Sequence, residues 1–355
     1  MPFLKGEHSM VNWGIIAAGG IAKRRTLPAM EAVENARVIA VMDKNEEVAK
    51  NLSIEYEIPY VYQNEEELLE NAEIDAVYVA SPVYFHKEQA LKVLRAGKHL
   101  LLEKPLGMNQ KDGEEIVREA ESCGKKAGVA MVMRHHPVHE MMKNLIKEKT
   151  IGEIVSCRAQ LNCWFPDMQG NWRQNRKMAG GGALVDMGTH CIDLLRYLLE
   201  DEVEWVFGDI STKTFTYEVD DSADCLLHMK KGTCCYVDVH FNVPDEAAKG
   251  MLEMYGTKGS ILAQGTIGQE GKGKVYLNVS GECEKYQSQQ SRKSDDMGKE
   301  LLYNWENIYA SQIQAFSEAI ICNGHVMTDI NDALETVKVI DALYQSAETG
   351  KRIYI

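Results

Sequence analysis

The sequence predicts an α/β protein in two domains: an N-terminal domain built on a parallel sheet over residues 10–133, and a C-terminal α+β domain with a large open antiparallel sheet over 134–355. Two rhythms in the chain carry that expectation. Over residues 11–133 short apolar runs alternate with amphipathic stretches, and strands alternating with helices form a parallel sheet covered on both faces. After Pro137 the rhythm changes, and from about residue 203 strand follows strand without an intervening helix, which implies antiparallel pairing. At 355 residues the chain is long enough for two separate cores.

The strands of the first half are VNWGII from Val11, ARVIAVMD from Ala36, a weak VY at Val61, AVYVA from Ala76, HLLL from His99 and GVAMVM from Gly128. Runs such as HLLL are apolar on both faces, as strands between two helical layers are. The amphipathic stretch QALKVLRAG at 89–97 reads as a helix that closes on a glycine. In the second half, a helix near 138–148 precedes strands near 153–164, and a helix carrying Asp186 and His190 follows. Further strands fall near 203–211, 222–229, 233–242, 250–263 and 274–280, with turns such as Lys231-Gly232 and the GTKG of 256–259. Two helices near 302–322 and 330–348 finish the chain. The polar stretch 281–299 reads as a long mobile loop, and residues 1–9 as a loose extension before Met10.

Composition excludes several function classes. A net charge of -14 and a pI near 5.3 oppose polyanionic partners, so neither nucleic acid nor an anionic membrane is expected. No apolar run is long enough to span a bilayer, and the first ten residues lack the apolar core of a signal peptide, so a cytoplasmic protein is expected. Nine cysteines, an odd and irregularly spaced set, suit a reducing compartment. Adjacent Cys234 and Cys235 would point to opposite faces of a strand and act as small apolar residues.

Residues 180–193, GGGALVDMGTHCID, form the richest motif. On a regular α-helix Asp186, His190 and Asp193 share one face, and three glycines ahead of them let a ligand approach the helix start closely. A surface ion pair four residues apart would account for Asp186 and His190 equally well. The second motif is HLLL followed by Glu103, Lys104 and Pro105. It places two charged side chains at the carboxyl end of a parallel strand, where open α/β sheets bind ligands, although a solvated strand-end charge pair would look the same. Pro105 holds the Lys104 backbone extended and so narrows where its amine points.

The first strand runs into GIIAAGGIA, the place of a dinucleotide fingerprint. Read as G-x-G-x-x-G/A it is Ala17-x-Gly19-x-x-Ala22, with alanine in the first glycine position, tolerable if the turn keeps a negative φ. Gly19 still permits a pyrophosphate to approach the helix start formed by Ala18, Gly19, Gly20 and Ile21. Asp43 lies twenty-four residues after Gly19 at the end of the next strand; an acid there binds ribose hydroxyls and repels a 2′-phosphate, which favours NAD over NADP, while Lys44 weakens the preference. Ser81, Pro82 and His86 of SPVYFH occupy the loop after the fourth strand, where the nicotinamide half would lie, although His86 could equally be a helix-start residue. Arg134 follows the sixth strand and could face the cleft. The nearby HHPVH of 135–139 is interrupted by Pro137 and lacks the cysteine or acidic partners of a metal set, so no metal is expected.

Together GIIAAGGIA, SPxxxH, EKP and GGGxxxDxGxHxxD resemble the glucose-fructose oxidoreductase, inositol dehydrogenase and MocA family, over essentially the whole chain from Met10 onward. Ala17 departs from the family pattern. The resemblance implies a Rossmann domain joined to an open-faced antiparallel sheet domain, in dimers, tetramers or larger homo-oligomers associating through that sheet. It implies Lys104, Asp186 and His190 as the catalytic triad, Glu103 and Lys104 flanking the nicotinamide, and Arg134 with Trp172-Arg173 lining a substrate pocket that Asp186 and His190 also border.

The residue types fit oxidation of a secondary alcohol. His190 can take the hydroxyl proton, Asp186 can orient the imidazole, and Lys104 can stabilise alkoxide character. Glycines 180–182 would leave room for a polyhydroxylated ring, and Trp172 could stack on a sugar face or be an ordinary loop aromatic. The expected activity is NAD-dependent oxidation of a ring hydroxyl of a sugar, polyol or glycoside, such as C3 of a pyranoside, giving a 3-oxo glycoside. Redox-assisted glycoside cleavage is one alternative. A nucleotide-sensing regulator is another, opposed by the joint presence of Lys104, Asp186 and His190.

Overall fold

The structure is a computed structural model describing residues 10–269, 272–280 and 297–355. These form two compact units. One takes in the described residues up to Val132 together with Lys177–Gly180 and Glu306–Val337; the other holds Met133–Arg176, the described part of Gly181–Trp305, and Lys338–Ile355. The chain first passes from one unit to the other between Val132 and Met133, and residues 306–337 pack with the first unit. The helix Ile308–Ile321 explains this, because it puts Ile313, Phe316 and Ala319 into one core with Trp13, Ile15 and Val41. The Trp13 indole also donates to Ser317 Oγ at 3.2 Å. Ile330, Ala333 and Leu334 of the following helix join Val77, Leu100 and Ile116 in a second core.

In the first unit six strands run parallel: β1 (Val11–Ile16), β2 (Ala36–Met42), β3 (Tyr60–Tyr62), β4 (Ala76–Val79), β5 (His99–Leu102) and β6 (Ala127–Val129). Their order is β3-β2-β1-β4-β5-β6, so the winding reverses between β1 and β4, and the loops leaving those two strands border the crevice in which such sheets bind ligands. The sixth strand stops at Val129, earlier than its apolar run suggested, since Val132–His135 coils into a short 3-10 turn.

The second unit carries nine strands: β7 (Ile154–Asn162), β8 (Val203–Ser211), β9 (Ser222–Met229), β10 (Cys234–His240), β11 (Met251–Gly256), β12 (Gly259–Gln264), β13 (Lys274–Val279), β14 (Lys299–Leu301) and β15 (Ile353–Tyr354). The order is β14-β13-β12-β11-β7-β10-β9-β8-β15. The sheet is mixed and not wholly antiparallel, for β7 and β10 pair in parallel. More than seventy residues separate these two strands, including the helix Thr189–Leu199, and a connection of that length permits the crossover that parallel neighbours need. The stretch 250–263 is a hairpin of two strands, and the edge strands β14 and β15 were not anticipated. Lys299 opens β14 instead of ending a loop; residues 281–296 of that expected loop and the expected extension 1–9 lie outside the described residues.

One face of this sheet is buried through Cys157, Ala159, Cys235, Val237, Leu252 and Met254. On the other, Phe207, Leu226, Tyr236, Arg158, Glu253 and Leu262 form one cross-strand row. Cys234 is half-buried and Cys235 buried, as alternation requires. No helix among the described residues is long and apolar enough to cross a membrane.

Candidate functional site

In the first unit the site begins where β1 ends. Ala17 turns the chain at φ +63, so the expected negative φ is not kept and an alanine adopts the left-handed conformation that glycine takes at least cost. The amide of Ala18 then donates to Met42 O at 3.2 Å, which ties the turn to β2. Asp43 accepts from Gly19 N at one oxygen and from Asn45 N at the other, both at 2.9 Å. A Cβ on Gly19 would lie 3.1 Å from the Asp43 carboxylate and from Val48, so this glycine packs closely against both side chains as well as permitting ligand approach. A Cβ on Gly20 would meet nothing nearer than Ala80 O at 3.9 Å; the turn is open on that side, and a phosphate can approach its amides. The helix after it opens as a π-helical turn, Ala22–Thr26, and continues as Leu27–Met30. With Asp43 half-buried at the end of β2, these residues fit a dinucleotide. Lys44 is exposed, and its ammonium lies 4.8 Å from the Phe85 ring centre.

The loop after β4 is anchored from within. Ser81 is buried and donates from Oγ to Gln89 Oε1 at 2.6 Å, and Pro82 leads into the short turn Val83–Phe85. His86, expected beside the cofactor, is instead 1% exposed, with Nε2 2.9 Å from Ser81 O and Nδ1 2.8 Å from Pro105 O. It links the loops leaving β4 and β5. Burial, assisted by the charge of Lys104, pushes its pKa down to about 4. The Lys104–Pro105 peptide is cis. Glu103 and Lys104 are half-buried at the end of β5, and Glu103 accepts from the Tyr78 hydroxyl and from Lys104 N. Thr26 Oγ1 donates to the Tyr78 oxygen at 3.2 Å, so a buried hydroxyl pair leads to Glu103. Burial and then the Glu103 charge raise the Tyr78 pKa well above its usual value. Sequence reasoning passed over Tyr78, whose one signal is a hydroxyl within the otherwise apolar AVYVA.

In the second unit the glycines have a packing role that was not foreseen. A Cβ on Gly181 would lie 1.9 Å from the Tyr344 hydroxyl, and one on Gly182 1.9 Å from Asp220 O. Asp220 accepts from Gly182 N at 2.8 Å, from Leu184 N at 2.9 Å and from Tyr344 OH at 2.6 Å. Glycines 181 and 182 therefore accommodate Asp220 and Tyr344, and the room expected for a sugar ring is filled by protein. Gly180, at φ +78, is packed with the first unit against Met108.

The chain then forms a π-helical turn, Leu184–Gly188, before the α-helix Thr189–Leu199. The uniform α-helical spacing assumed for Asp186, His190 and Asp193 is broken between Asp186 and His190, and π turns of this kind occur often at functional sites. Asp186 and His190 are half-buried. Asp186 has Cys163 nearby, whose thiol is pushed up to about 12 by burial and by the charges of Asp186 and Asp245.

Asp193 is different. Its carboxylate takes Arg134 Nε at 3.0 Å and Nη2 at 2.7 Å, and the two side chains are 1% and 6% exposed. The guanidinium also lies 5.2 Å from the Tyr197 ring centre. Arg134, expected to line the substrate pocket, is thus committed to a buried ion pair. Trp172 and Arg173 belong to the short turn Trp172–Gln174, and the Arg173 guanidinium lies 4.4 Å from the Trp172 ring centre, covering one of its faces. His136 and His139 of HHPVH serve the backbone: His136 Nδ1 caps the helix Pro137–Lys147 through Val138 N, and His139 sits between Met133 O at 2.7 Å and Thr266 Oγ1 at 3.1 Å.

The chain is similar to known proteins in both sequence and fold. Residues 11–131 match the oxidoreductase family with the NAD-binding Rossmann fold, and residues 139–262 match the GFO/IDH/MocA C-terminal domain. The chain is 29% identical over 344 residues to 1,5-anhydro-D-fructose reductase of Ensifer adhaerens, covering 96% of this chain and 98% of that protein. It is 30% identical over 258 residues to trans-1,2-dihydrobenzene-1,2-diol dehydrogenase of Xenopus tropicalis, covering 70% of this chain and 74% of that one. A 3-ketoreductase from Actinomadura kijaniata, solved with TDP-benzene and NADP, superposes with a TM-score of 0.82 at 25% identity, over 95% of this chain and 98% of its own. The chain belongs to the GFO/IDH/MocA family of oxidoreductases.

Proposed function

We propose that the protein oxidises a ring secondary hydroxyl of a neutral pyranoside, at a carbon such as C3, with NAD as hydride acceptor. The observation that carries this reading is the pair Asp186 and His190. They are half-buried at a π-to-α junction whose start is fixed by Asp220, while the neighbouring Asp193 is spent on Arg134. An imidazole exchanges protons near neutral pH, so His190 takes the hydroxyl proton and Asp186 orients its ring and stabilises the imidazolium. Lys104 stabilises the developing alkoxide by its charge. When bound, the nicotinamide supplies the hydride acceptor. The half-buried Asp43, which repels a 2′-phosphate, supports NAD over NADP.

The sugar class is supported by relatives named as reductases of an anhydro sugar and of a dTDP-deoxyhexose, and as a xylose dehydrogenase. The test is a panel of methyl and aryl glycosides, free sugars, sugar acids and open-chain polyols with NAD or NADP, following reduced cofactor together with a mass loss of two hydrogens. Turnover confined to carboxylated sugars or to open-chain polyols would refute the reading. Aglycone release without net reduced cofactor would mean that the hydride is returned and the glycoside cleaved.

We also propose that a second copy of the chain covers the open sheet face, supported by the exposed Phe207 and Tyr236 in one row and Tyr255 on the same face. Light scattering should give an oligomer that Tyr236→Glu weakens; a wild-type monomer would overturn this.

A further inference from the structure

We propose that His86 is a positioning residue for Lys104, holding the carbonyl of Pro105 so that the lysine amine keeps one direction at the end of β5. The inference rests on the catalytic role proposed for Lys104. His86 lies nineteen residues from Pro105 in the chain, and its Nδ1 is 2.8 Å from Pro105 O while Nε2 is 2.9 Å from Ser81 O. The ring is 1% exposed, so no water competes for either nitrogen. Its frame is braced in turn, because Ser81 donates to Gln89, and Gln89 Nε2 donates to Glu65 Oε2 at 2.6 Å.

Both neighbours of the imidazole are carbonyl oxygens, which only accept. A neutral ring has a single N–H, so it donates to one carbonyl and turns a lone pair to the other. Burial keeps the ring neutral at physiological pH. The Nδ1 contact is the one that bears on Lys104, since Pro105 is the next residue, so the proposal places the single N–H on Nδ1, whereas the Nε2 contact stays within the loop of His86 itself.

That asymmetry gives a test that a merely structural role does not pass. The amide nitrogen of asparagine falls near the Nδ1 position of histidine, and that of glutamine near Nε2. His86→Asn therefore keeps a donor for Pro105, and His86→Gln keeps one for Ser81 alone. With the glycoside panel above, His86→Gln should lower kcat by about tenfold to a hundredfold with little change in NAD affinity, as expected for a displaced catalytic group. His86→Asn should restore most of kcat. In a Lys104→Ala background His86→Gln should have little further effect, since the two changes remove one function.

A second readout needs no turnover. After reductive methylation with labelled formaldehyde, the dimethylamine carbon signal of Lys104, assigned by its loss in Lys104→Ala, should move toward the position of a free lysine in His86→Gln and not in His86→Asn. Equal losses in the two variants, a full additional loss in the Lys104→Ala background, or an unmoved Lys104 signal would each overturn the proposal. If no glycoside is oxidised by the wild type, the reading of function fails, and the Lys104 signal alone decides the role of His86.

Discussion

Replacing Arg134 by alanine separates two roles for this residue. In the structure its guanidinium reaches Asp193 with two bonds, of 2.7 and 3.0 Å, and the partners are 6% and 1% exposed. An exposed pair would contribute at most about 1 kcal/mol. Here Arg134→Ala leaves the Asp193 carboxylate buried without its counter-charge, which costs about 3–5 kcal/mol. A protein of ordinary stability, about 5–15 kcal/mol, loses a large fraction of it. With a urea dependence of about 2 kcal/mol per molar, the midpoint should fall by about 1.5–2.5 M, read by circular dichroism. The double variant Arg134→Met, Asp193→Leu removes both charges and should recover most of the loss, because the desolvation cost goes with them. The reasoning is refuted if Arg134→Ala unfolds within about 0.5 M of wild type while KM rises tenfold or more, the behaviour of a residue that binds substrate.

The remaining predictions follow from single contacts. Gly182→Ala puts a Cβ 1.9 Å from Asp220 O and should yield little folded protein, whereas Gly20→Ala, with its nearest contact at 3.9 Å, should fold normally and weaken NAD binding, as a melting curve and a cofactor titration would report. Asp43→Ser should raise the affinity for NADP relative to NAD; dissociation constants that already favour NADP in the wild type would contradict the role given to Asp43. Lys104→Ala and His190→Ala should each reduce turnover by about two to four orders of magnitude, with a combined loss far below the product; near-normal turnover of His190→Ala at every pH would remove the proton-transfer assignment. Stability should fall on acidification. His86 and His139 are buried, with pKa values lowered by burial from 6.5 to about 4 and about 3, so below about pH 6.5 the unfolded chain binds protons that the folded one does not. Each adds a slope of up to about 1.4 kcal/mol per pH unit between its two values, and His139→Gln should flatten the profile in urea titrations from pH 6.5 to 4.

The parallel sheet of the first unit was legible because its strands are apolar runs bounded by amphipathic stretches, and β1, β2, β4 and β5 fall within a residue or so of their expected places. Strands of two or three residues, such as β14 and β15, carry no period to read. Nor does the π turn at Leu184–Gly188, which changes the helical hydrogen bonding without changing composition. The family motifs were legible as motifs, since charged and glycine residues at strand ends stand out against apolar runs.

What the sequence determined by itself was local: the type of most elements, the turn at the end of β1, and the residue types able to do alcohol chemistry. The employment of those residues was decided by tertiary structure. Glycines 181 and 182 yield to Asp220 and Tyr344, Arg134 is spent on Asp193, His86 on Ser81 and Pro105, and residues 306–337 belong with the Trp13 core. Each of those partners lies from five to some three hundred residues away in the chain. A buried polar group must find a partner and a buried Cβ must find space, and both conditions depend on which surfaces the fold brings together.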